Sequence, residues 1–99
     1  MIDRDCIFCK IAGGDIPSST VYEDEQFRVL LDLSPATKGH ALILPKQHYA
    51  NIFEIDENVL RDLIVLAKKV ASAMKETLNC DGVNIVQNNG EAAGQTVVH

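Results

Sequence analysis

The sequence predicts an α+β fold, with an antiparallel meander sheet of about five strands, one long helix on one face of the sheet and one short N-terminal helix. Two observations carry this prediction: one long segment has apolar residues at helical spacing, and short β-prone segments lie before and after it. The 99 residues suffice for one modest core, and no repeat or linker interrupts them, so we expect a single domain over residues 1–99.

The first half of the chain predicts the short helix and three strands. Ile7, Phe8 and Ile11 have the spacing of a helical turn, which two glycines end at Gly13. Residues 20–23 and 27–32 read as two strands joined by a tight hairpin with acidic turn residues. Residues 40–45 form a continuous apolar run, so we expect a third strand that is buried on both faces.

The long helix is predicted over residues 56–78, with Asp56 as its N-cap and Lys68 and Lys69 on its solvated face. Residues 79–82 end it, residues 83–87 predict a fourth strand, and a fifth begins at Thr96. The residues expected to face the core are Leu60, Leu63, Ile64, Ala67, Val70, Ala71, Met74 and Leu78.

Composition excludes several classes of protein. The net charge is 9 − 14 = −5 without a basic block, which argues against nucleic acid as a partner. The apolar runs are far shorter than the roughly 20 residues of a membrane helix, and the polar, acidic start is unlike a signal peptide. Three cysteines, an odd number, do not suggest a disulfide scaffold. We therefore expect a cytoplasmic protein that binds neither membranes nor nucleic acid.

Cys6 and Cys9 form a C-x-x-C motif, which is typical of a metal site or of a redox pair. The redox interpretation requires a preceding strand in a βαβ unit, and the motif lies too close to the start of the chain for one. Metal binding is therefore favoured, while the alternative that both are small core residues stays open.

Two histidines flank the third strand, His40 at its start and His48 just past its end. Eight strand positions span up to about 26 Å, so at most one of them can join the cysteines at a metal ion. Asp32 precedes a proline-containing loop. An aspartate at such a position commonly bonds backbone N–H groups, which favours a turn-capping role over a functional one.

The last stretch, residues 88–99, contains two asparagines and two glycines ahead of a β-prone segment that reaches His99. Glycines allow the backbone of such a loop to approach a ligand closely, and its N–H groups can face an anion. These residues are candidates for phosphate binding.

Four motifs together resemble the histidine triad (HIT) family, in particular its small, HINT-like, bacterial nucleotide-binding branch of the C-x-x-C type. They are Cys6-Ile7-Phe8-Cys9-Lys10-Ile11, Asp32-Leu33-Ser34-Pro35, residues 39–48 and residues 88–99. The resemblance covers nearly the whole chain in one register. It implies a HIT-like fold and, for the parent protein, a homodimer.

The resemblance also implies a function. Such proteins bind purine nucleotides and hydrolyse AMP from phosphoramidate or related linkages, the middle histidine of His-x-His-x-His attacking phosphorus. It places the purine base and ribose near Ile7, Phe8, Leu30, Asp32 and Leu33, with Asp32 on the ribose hydroxyls. It places the phosphate near Asn88, Gly94, Gln95 and Thr96. It marks His40 and His99 as supporting catalytic residues, and it implies one structural zinc ion on Cys6, Cys9, His48 and His99, with Cys80 a free thiol outside the site.

Only the first histidine of the signature is present, as His99. We therefore expect the domain to be incomplete at its C-terminal strand and these 99 residues to be inactive, as a truncated form of an active enzyme. The alternatives are a non-catalytic nucleotide-binding module, a zinc-stabilised interaction protein and, more remotely, a thiol redox protein.

Overall fold

The computed structural model describes residues 5–14, 19–31, 40–97 and 99. In chain order its elements are α1 (Ile7–Ala12), β1 (Thr20–Glu23), β2 (Phe27–Leu31), β3 (Ala41–Pro45), α2 (Glu57–Leu78) and a 3₁₀ turn at Glu91–Ala93. The strands form an antiparallel sheet in the order β1-β2-β3. The predicted α+β class is confirmed, and no helix in these ranges has the length and apolarity to cross a membrane.

The hairpin between β1 and β2 is fixed by Asp24. Its Oδ1 accepts hydrogen bonds from the backbone N–H groups of Gln26 and Phe27, both at 2.8 Å. Its Oδ2 accepts another from the Tyr22 hydroxyl at 2.9 Å. An aspartate that bonds the backbone two and three residues ahead is a common way to build a turn, so the predicted acidic hairpin follows from local chemistry.

A helix covers each face of the sheet. On one face, Ala12 of α1 packs in a buried cluster with Leu30 of β2 and Leu44 of β3. On the other, Leu66 of α2 packs with Phe27 and Val29 of β2. Alternate side chains of each strand point to opposite faces, which is why adjacent residues of β2 belong to different clusters. The long helix covers one face as predicted, and α1 covers the other.

β3 contacts both clusters but is less buried than its apolar sequence predicted. Leu42 and Leu44 pack on the α1 side, and Ala41 and Ile43 on the α2 side. Only Leu44 is fully buried, and the other four residues of the strand remain partly exposed. β3 is the last strand of the sheet in the described residues, so its outer edge lacks the neighbour that would complete its burial.

α2 begins as predicted, because Oδ1 of Asp56 accepts hydrogen bonds from Asn58 N–H (2.8 Å) and Val59 N–H (3.3 Å). It ends at Leu78, where Asn79 adopts a left-handed conformation with φ of 51°. Lys68 and Lys69 are exposed, as expected.

The predicted core stripe of α2 needs one correction. The α2 residues that pack on the sheet are Val59, Leu63, Leu66 and Val70. Ala67 is also buried, whereas Ile64 is 55% exposed. Apolar residues occupy more than one face of this helix, so periodicity alone could not select the face that meets the sheet.

Residues 83–87, predicted as a fourth strand, are not a strand. Val83, Ile85 and Val86 are 40%, 62% and 76% exposed. Their composition is β-prone, but a strand exists only when its backbone pairs with a neighbour, and no described segment pairs with this one. The fifth strand predicted from Thr96 is not formed in the described residues either. The predicted count of about five strands is therefore three in the part of the chain that the structure describes.

Candidate metal centre and glycine loop

α1 brings the two cysteines of the C-x-x-C motif together. Cys6 is the N-cap of this helix, and its Sγ accepts a hydrogen bond from the backbone N–H of Cys9 at 3.4 Å. Cys9 lies one turn further on the same face. Both side chains are buried, at 9% and 3% exposure. Their thiols are thus held in buried positions at the start of α1.

Two histidines from distant parts of the chain meet these thiols. Nδ1 of His48, which follows β3, lies 3.3 Å from Cys9 Sγ. Nδ1 of His99 lies 3.3 Å from Cys6 Sγ and 3.4 Å from Cys9 Sγ. The two imidazole rings contact each other nearly at right angles, with centroids 5.2 Å apart. The structure therefore brings together all four residues that the resemblance implied.

The spacing of these atoms fits a tetrahedral metal ion. Zinc bonds of about 2.3 Å to sulfur and about 2.0 Å to nitrogen, at the tetrahedral angle, put sulfur and nitrogen roughly 3.5 Å apart. Cys6–His99, Cys9–His48 and Cys9–His99, three of the four sulfur–nitrogen pairs, are 3.3–3.4 Å apart, and all four ligand atoms lie within 4.8 Å of one another. Cys6, Cys9, His48 and His99 therefore lie close enough to hold a metal ion.

The His99 ring is oriented by the end of β3. Its Nε2 lies 3.0 Å from the carbonyl oxygen of Pro45, which can only accept a hydrogen bond, so Nε2 must donate. In the neutral ring Nδ1 is then the unprotonated atom that faces the thiols. Burial lowers the pKa of His99; the Pro45 hydrogen bond raises it and the nearby His48 lowers it, for a net decrease. The net decrease in pKa favours the neutral form, and the Pro45 hydrogen bond leaves Nδ1 of that form free of its proton for a metal.

The other two sequence candidates of this class lie outside the cluster. His40 is exposed just before β3, whereas His48 follows the other end of that strand. Only the end with His48 lies at the cysteines. Cys80 follows α2, is partly buried and forms no disulfide, as expected of a thiol outside the site.

The glycine loop, residues 88–95, wraps around the 3₁₀ turn. Gly90 and Gly94 have φ of 90° and 92°, a region that side chains disfavour. The N–H groups of Ala93 and Gln95 donate to the Gly90 carbonyl, and that of Gly94 donates to the Glu91 carbonyl. These N–H groups, expected from the sequence to face an anion, therefore maintain the shape of the loop. The exposed side chain of Asn88 donates to the Gly94 carbonyl at 3.4 Å, and Thr96, just after the loop, is exposed.

The side chain of Gln95 ties the loop to the rest of the molecule. Its Nε2 donates to the carbonyls of Ala50 (2.6 Å) and Val97 (2.9 Å), and its Oε1 accepts from the Gly90 N–H (2.7 Å). A second tie joins Asn89 Oδ1 to the backbone N–H of Ile52 at 2.6 Å. The sequence pattern did not reveal this role, because Ala50 and Ile52 lie 45 and 37 positions from their partners in the chain.

The residues expected around a purine base lie on α1 and β2. Phe8 is partly buried, and its ring meets that of His99 edge-on, with centroids 6.0 Å apart. Ile7 is 52% exposed, whereas Leu30 is only 4% exposed and belongs to the core cluster under α1. Asp32 and Leu33 lie outside the described residues.

Comparison with known proteins supplies an independent line of evidence. The family model for the HIT domain matches residues 13–99. The protein hit of Bacillus subtilis is 45% identical over 96 residues, which is 97% of this chain and 66% of that protein. An adenosine 5′-monophosphoramidase of Saccharomyces cerevisiae is 43% identical over 98 residues, 99% of this chain and 60% of the relative. An adenylylsulfatase of Arabidopsis thaliana is 36% identical over 98 residues, 99% of this chain and 50% of the relative.

A solved structure agrees with these relatives. A Zn-bound histidine triad family protein from Mycobacterium smegmatis superposes with a TM-score of 0.90 at 40% identity, over 96% of this chain and 69% of that one. The chain thus spans between half and about two thirds of the length of the relatives compared.

Proposed function

The chain belongs to the HIT family, and from this premise we propose that it is part of a purine nucleotide hydrolase that cleaves AMP from phosphoramidate or related linkages. Two relatives named for such hydrolytic activities, an adenosine 5′-monophosphoramidase and an adenylylsulfatase, support this class of reaction. The proposed residues near base and ribose are Ile7, Phe8, Leu30, Asp32 and Leu33, and those near phosphate are Asn88, Gly94, Gln95 and Thr96.

The observation that carries the proposal is the placement of His99. This residue is the first histidine of the family signature, and it lies between the Phe8 ring and the two thiols, with its Nε2 against β3. A chain that continued from here would carry the next signature histidine away from this fixed point, near the glycine loop. In the proposed reaction that histidine attacks phosphorus and water then releases AMP, while His40 and His99 have supporting roles.

We further propose that the metal is zinc and that its role is structural. Four sulfur and nitrogen ligands, with no position left for water, are typical of structural zinc sites, and the relative described as Zn-bound supports this choice of metal. When bound, zinc would cross-link the start of α1, the segment after β3 and residue 99.

A second candidate suits the 99-residue polypeptide taken alone: a nucleotide-binding or zinc-stabilised interaction module without turnover. The observation that favours it is the position of the three histidines. His48 and His99 are in the metal cluster, and His40 is exposed before β3. None of the three corresponds to the signature's nucleophile. The proposed reaction therefore requires a nucleophile that these 99 residues do not supply.

The experiment compares the 99-residue chain with a longer chain that continues the signature, using an adenosine 5′-phosphoramidate and following AMP release. We expect turnover by the longer chain and none by the shorter. The matched control is the longer chain with its second signature histidine changed to asparagine, which should lose activity without losing zinc. Comparable turnover by the 99-residue chain would show that the mechanism does not need the missing histidines. Failure of both chains to bind AMP would contradict the nucleotide proposal itself.

We also propose that the parent protein is a cytoplasmic homodimer. Ile64 and Val65 on α2 and Val83 and Ile85 after it are 40–62% exposed. Ile64, Val83 and Ile85 line a groove of about 460 Å³ between α2 and the segment after it. Such apolar surface is typical of subunit interfaces.

A further inference from the structure

We propose that Gln95 is a positioning residue that couples the metal centre to the glycine loop, so that metal binding and loop order depend on each other. The inference rests on the metal site proposed above. It concerns the side chain of Gln95, whose carboxamide bonds three separate backbone segments.

The carboxamide of Gln95 uses both of its N–H donors and its oxygen. Gln95 Nε2 has two N–H groups, and it donates to the carbonyls of Ala50 and Val97 at 2.6 and 2.9 Å. Oε1 accepts from the Gly90 N–H at 2.7 Å. The side chain is partly buried, so water cannot freely replace these partners.

The two carbonyls that accept from Gln95 Nε2 lie close in sequence to two metal ligands. Ala50 is two residues after the ligand His48, and Val97 is two residues before the ligand His99. A metal ion that joins these two histidines fixes the relative position of the backbone segments that carry the two carbonyls. The Nε2 group of Gln95 can bond both carbonyls at once only when that position is kept.

The oxygen of the carboxamide, Oε1, holds Gly90 in the glycine loop. Gly90, the residue before the 3₁₀ turn, has φ of 90° and ψ of 154°, a conformation open essentially to glycine alone. Its carbonyl accepts from both Ala93 and Gln95, so its orientation sets the 3₁₀ turn. The bond from Gly90 N–H to Gln95 Oε1 therefore transmits the position of the metal ligands to the loop.

Linkage makes the coupling reciprocal: if metal stabilises the ordered loop through Gln95, a variant that cannot make these bonds must bind metal more weakly. We expect about tenfold weaker zinc binding, within the 5- to 150-fold range of coupled sites. A residue with a merely structural role would lower the stability of the metal-free and metal-bound protein equally. Its removal would leave the zinc-induced rise in melting temperature unchanged.

The experiment is amide hydrogen exchange of the 99-residue chain with and without zinc, in wild type, Gln95→Met and Gln47→Met. Gln47 is exposed and adjacent to the ligand His48, so it controls for loss of a glutamine near the metal. We expect zinc to slow exchange at Gly90, Ala93, Gly94 and Gln95 in wild type and in Gln47→Met. In Gln95→Met the same amides should exchange at a rate that zinc does not change, and the zinc-induced rise in melting temperature should shrink.

Cobalt(II) absorption checks that the metal site of each variant is intact, because a tetrahedral S₂N₂ site gives a characteristic visible spectrum. The proposal would be overturned if zinc slowed amide exchange in the loop of Gln95→Met as much as in wild type. It would also be overturned if zinc did not change amide exchange in the wild-type loop. If wild type retains no metal, the proposed metal centre fails as well. If Gln95→Met does not fold, Gln95→Glu keeps the acceptor for Gly90 and loses both donors, and it should lose the same response to zinc.

Discussion

Nε2 of His99 lies 3.0 Å from the carbonyl oxygen of Pro45, the last residue of β3. This contact joins the motif at one end of the sequence to the central sheet, because the carbonyl accepts the ring proton and leaves Nδ1 for the thiols. A backbone carbonyl that orients a ligating histidine is a common outer-shell arrangement at metal sites.

Replacing both thiols, as in Cys6→Ser/Cys9→Ser, should abolish zinc binding. At free zinc 100-fold above Kd, zinc stabilises the folded chain by about 2.7 kcal/mol, and the variant should lack that stabilisation. Metal analysis of protein purified without chelator, with thermal unfolding, measures both effects. Cys80→Ser is the matched control and should bind zinc like wild type, since Cys80 lies outside the cluster. Undiminished zinc in the double variant would contradict the ligand assignment.

Asp24→Asn should weaken the hairpin in a pH-dependent way. Burial acts to raise the pKa of Asp24, but the bonds from Phe27 and Gln26 N–H and from the Tyr22 hydroxyl outweigh it and lower the pKa. A carboxylate with a depressed folded pKa contributes stability above its unfolded pKa of about 3.9 and loses it as pH falls through the folded pKa. The loss at neutral pH should be about 1 kcal/mol.

The measurement is urea unfolding of Asp24→Asn and wild type between pH 7 and pH 3. The two stabilities should converge towards the acid end of that range. Glu25→Gln, an exposed change in the same turn, serves as the control and should show little difference at any pH. A gap for Asp24→Asn that stays constant down to pH 3 would show that ionisation of this carboxyl is not the cause.

Arg28→Met should weaken the attachment of α1 to the sheet. Arg28 Nε donates to the Ala12 carbonyl at 3.1 Å, and its other nitrogens bond Thr20 Oγ1 (3.1 Å) and Glu23 (2.8 Å). Its side chain is only 13% exposed, so we expect a loss of about 1.5–3 kcal/mol in the free energy of unfolding. Since α1 carries both cysteines, zinc affinity should fall too.

The control for Arg28→Met is Lys46→Met, which removes the other cation bonded to the same Glu23 carboxylate. Lys46 is more exposed, and a surface ion pair contributes at most about 1 kcal/mol. Chemical denaturation and competition for zinc with a chromophoric chelator measure the two effects. Equal losses in both variants would indicate that the charge on Glu23, rather than the tie to Ala12, determines stability.

Ile64→Glu should convert a dimeric parent protein into monomers, because it places a charge in the apolar surface of α2. Val21→Glu on β1 is the control: Val21 is 60% exposed, close to the 55% of Ile64, but it lies away from that surface. Light scattering after size-exclusion chromatography measures the mass of each. A dimer that survives Ile64→Glu and dissociates in Val21→Glu would place the interface on the sheet edge instead.

Features that depend on near neighbours in the chain were predictable from the sequence. The Asp24 turn, the Asp56 cap and the glycine end of α1 involve hydrogen bonds over two to four residues, so residue type and spacing determine them. The C-x-x-C pair is equally local, because one helical turn brings Cys6 and Cys9 together. The resemblance to a family supplied the remaining ligands, which spacing alone left undecided.

The tertiary structure decided what depends on distant segments. His48 rather than His40 faces the thiols because β3 puts the two histidines at opposite ends. Residues 83–87 are β-prone and yet pair with no segment that the structure describes, since strand formation depends on a neighbour and not on propensity alone. The resemblance places Gln95 near the phosphate, which stays a prediction, but it did not indicate that this side chain bonds Ala50, 45 positions earlier. A hydrogen bond over that separation is set by packing of the whole fold, which local sequence does not encode.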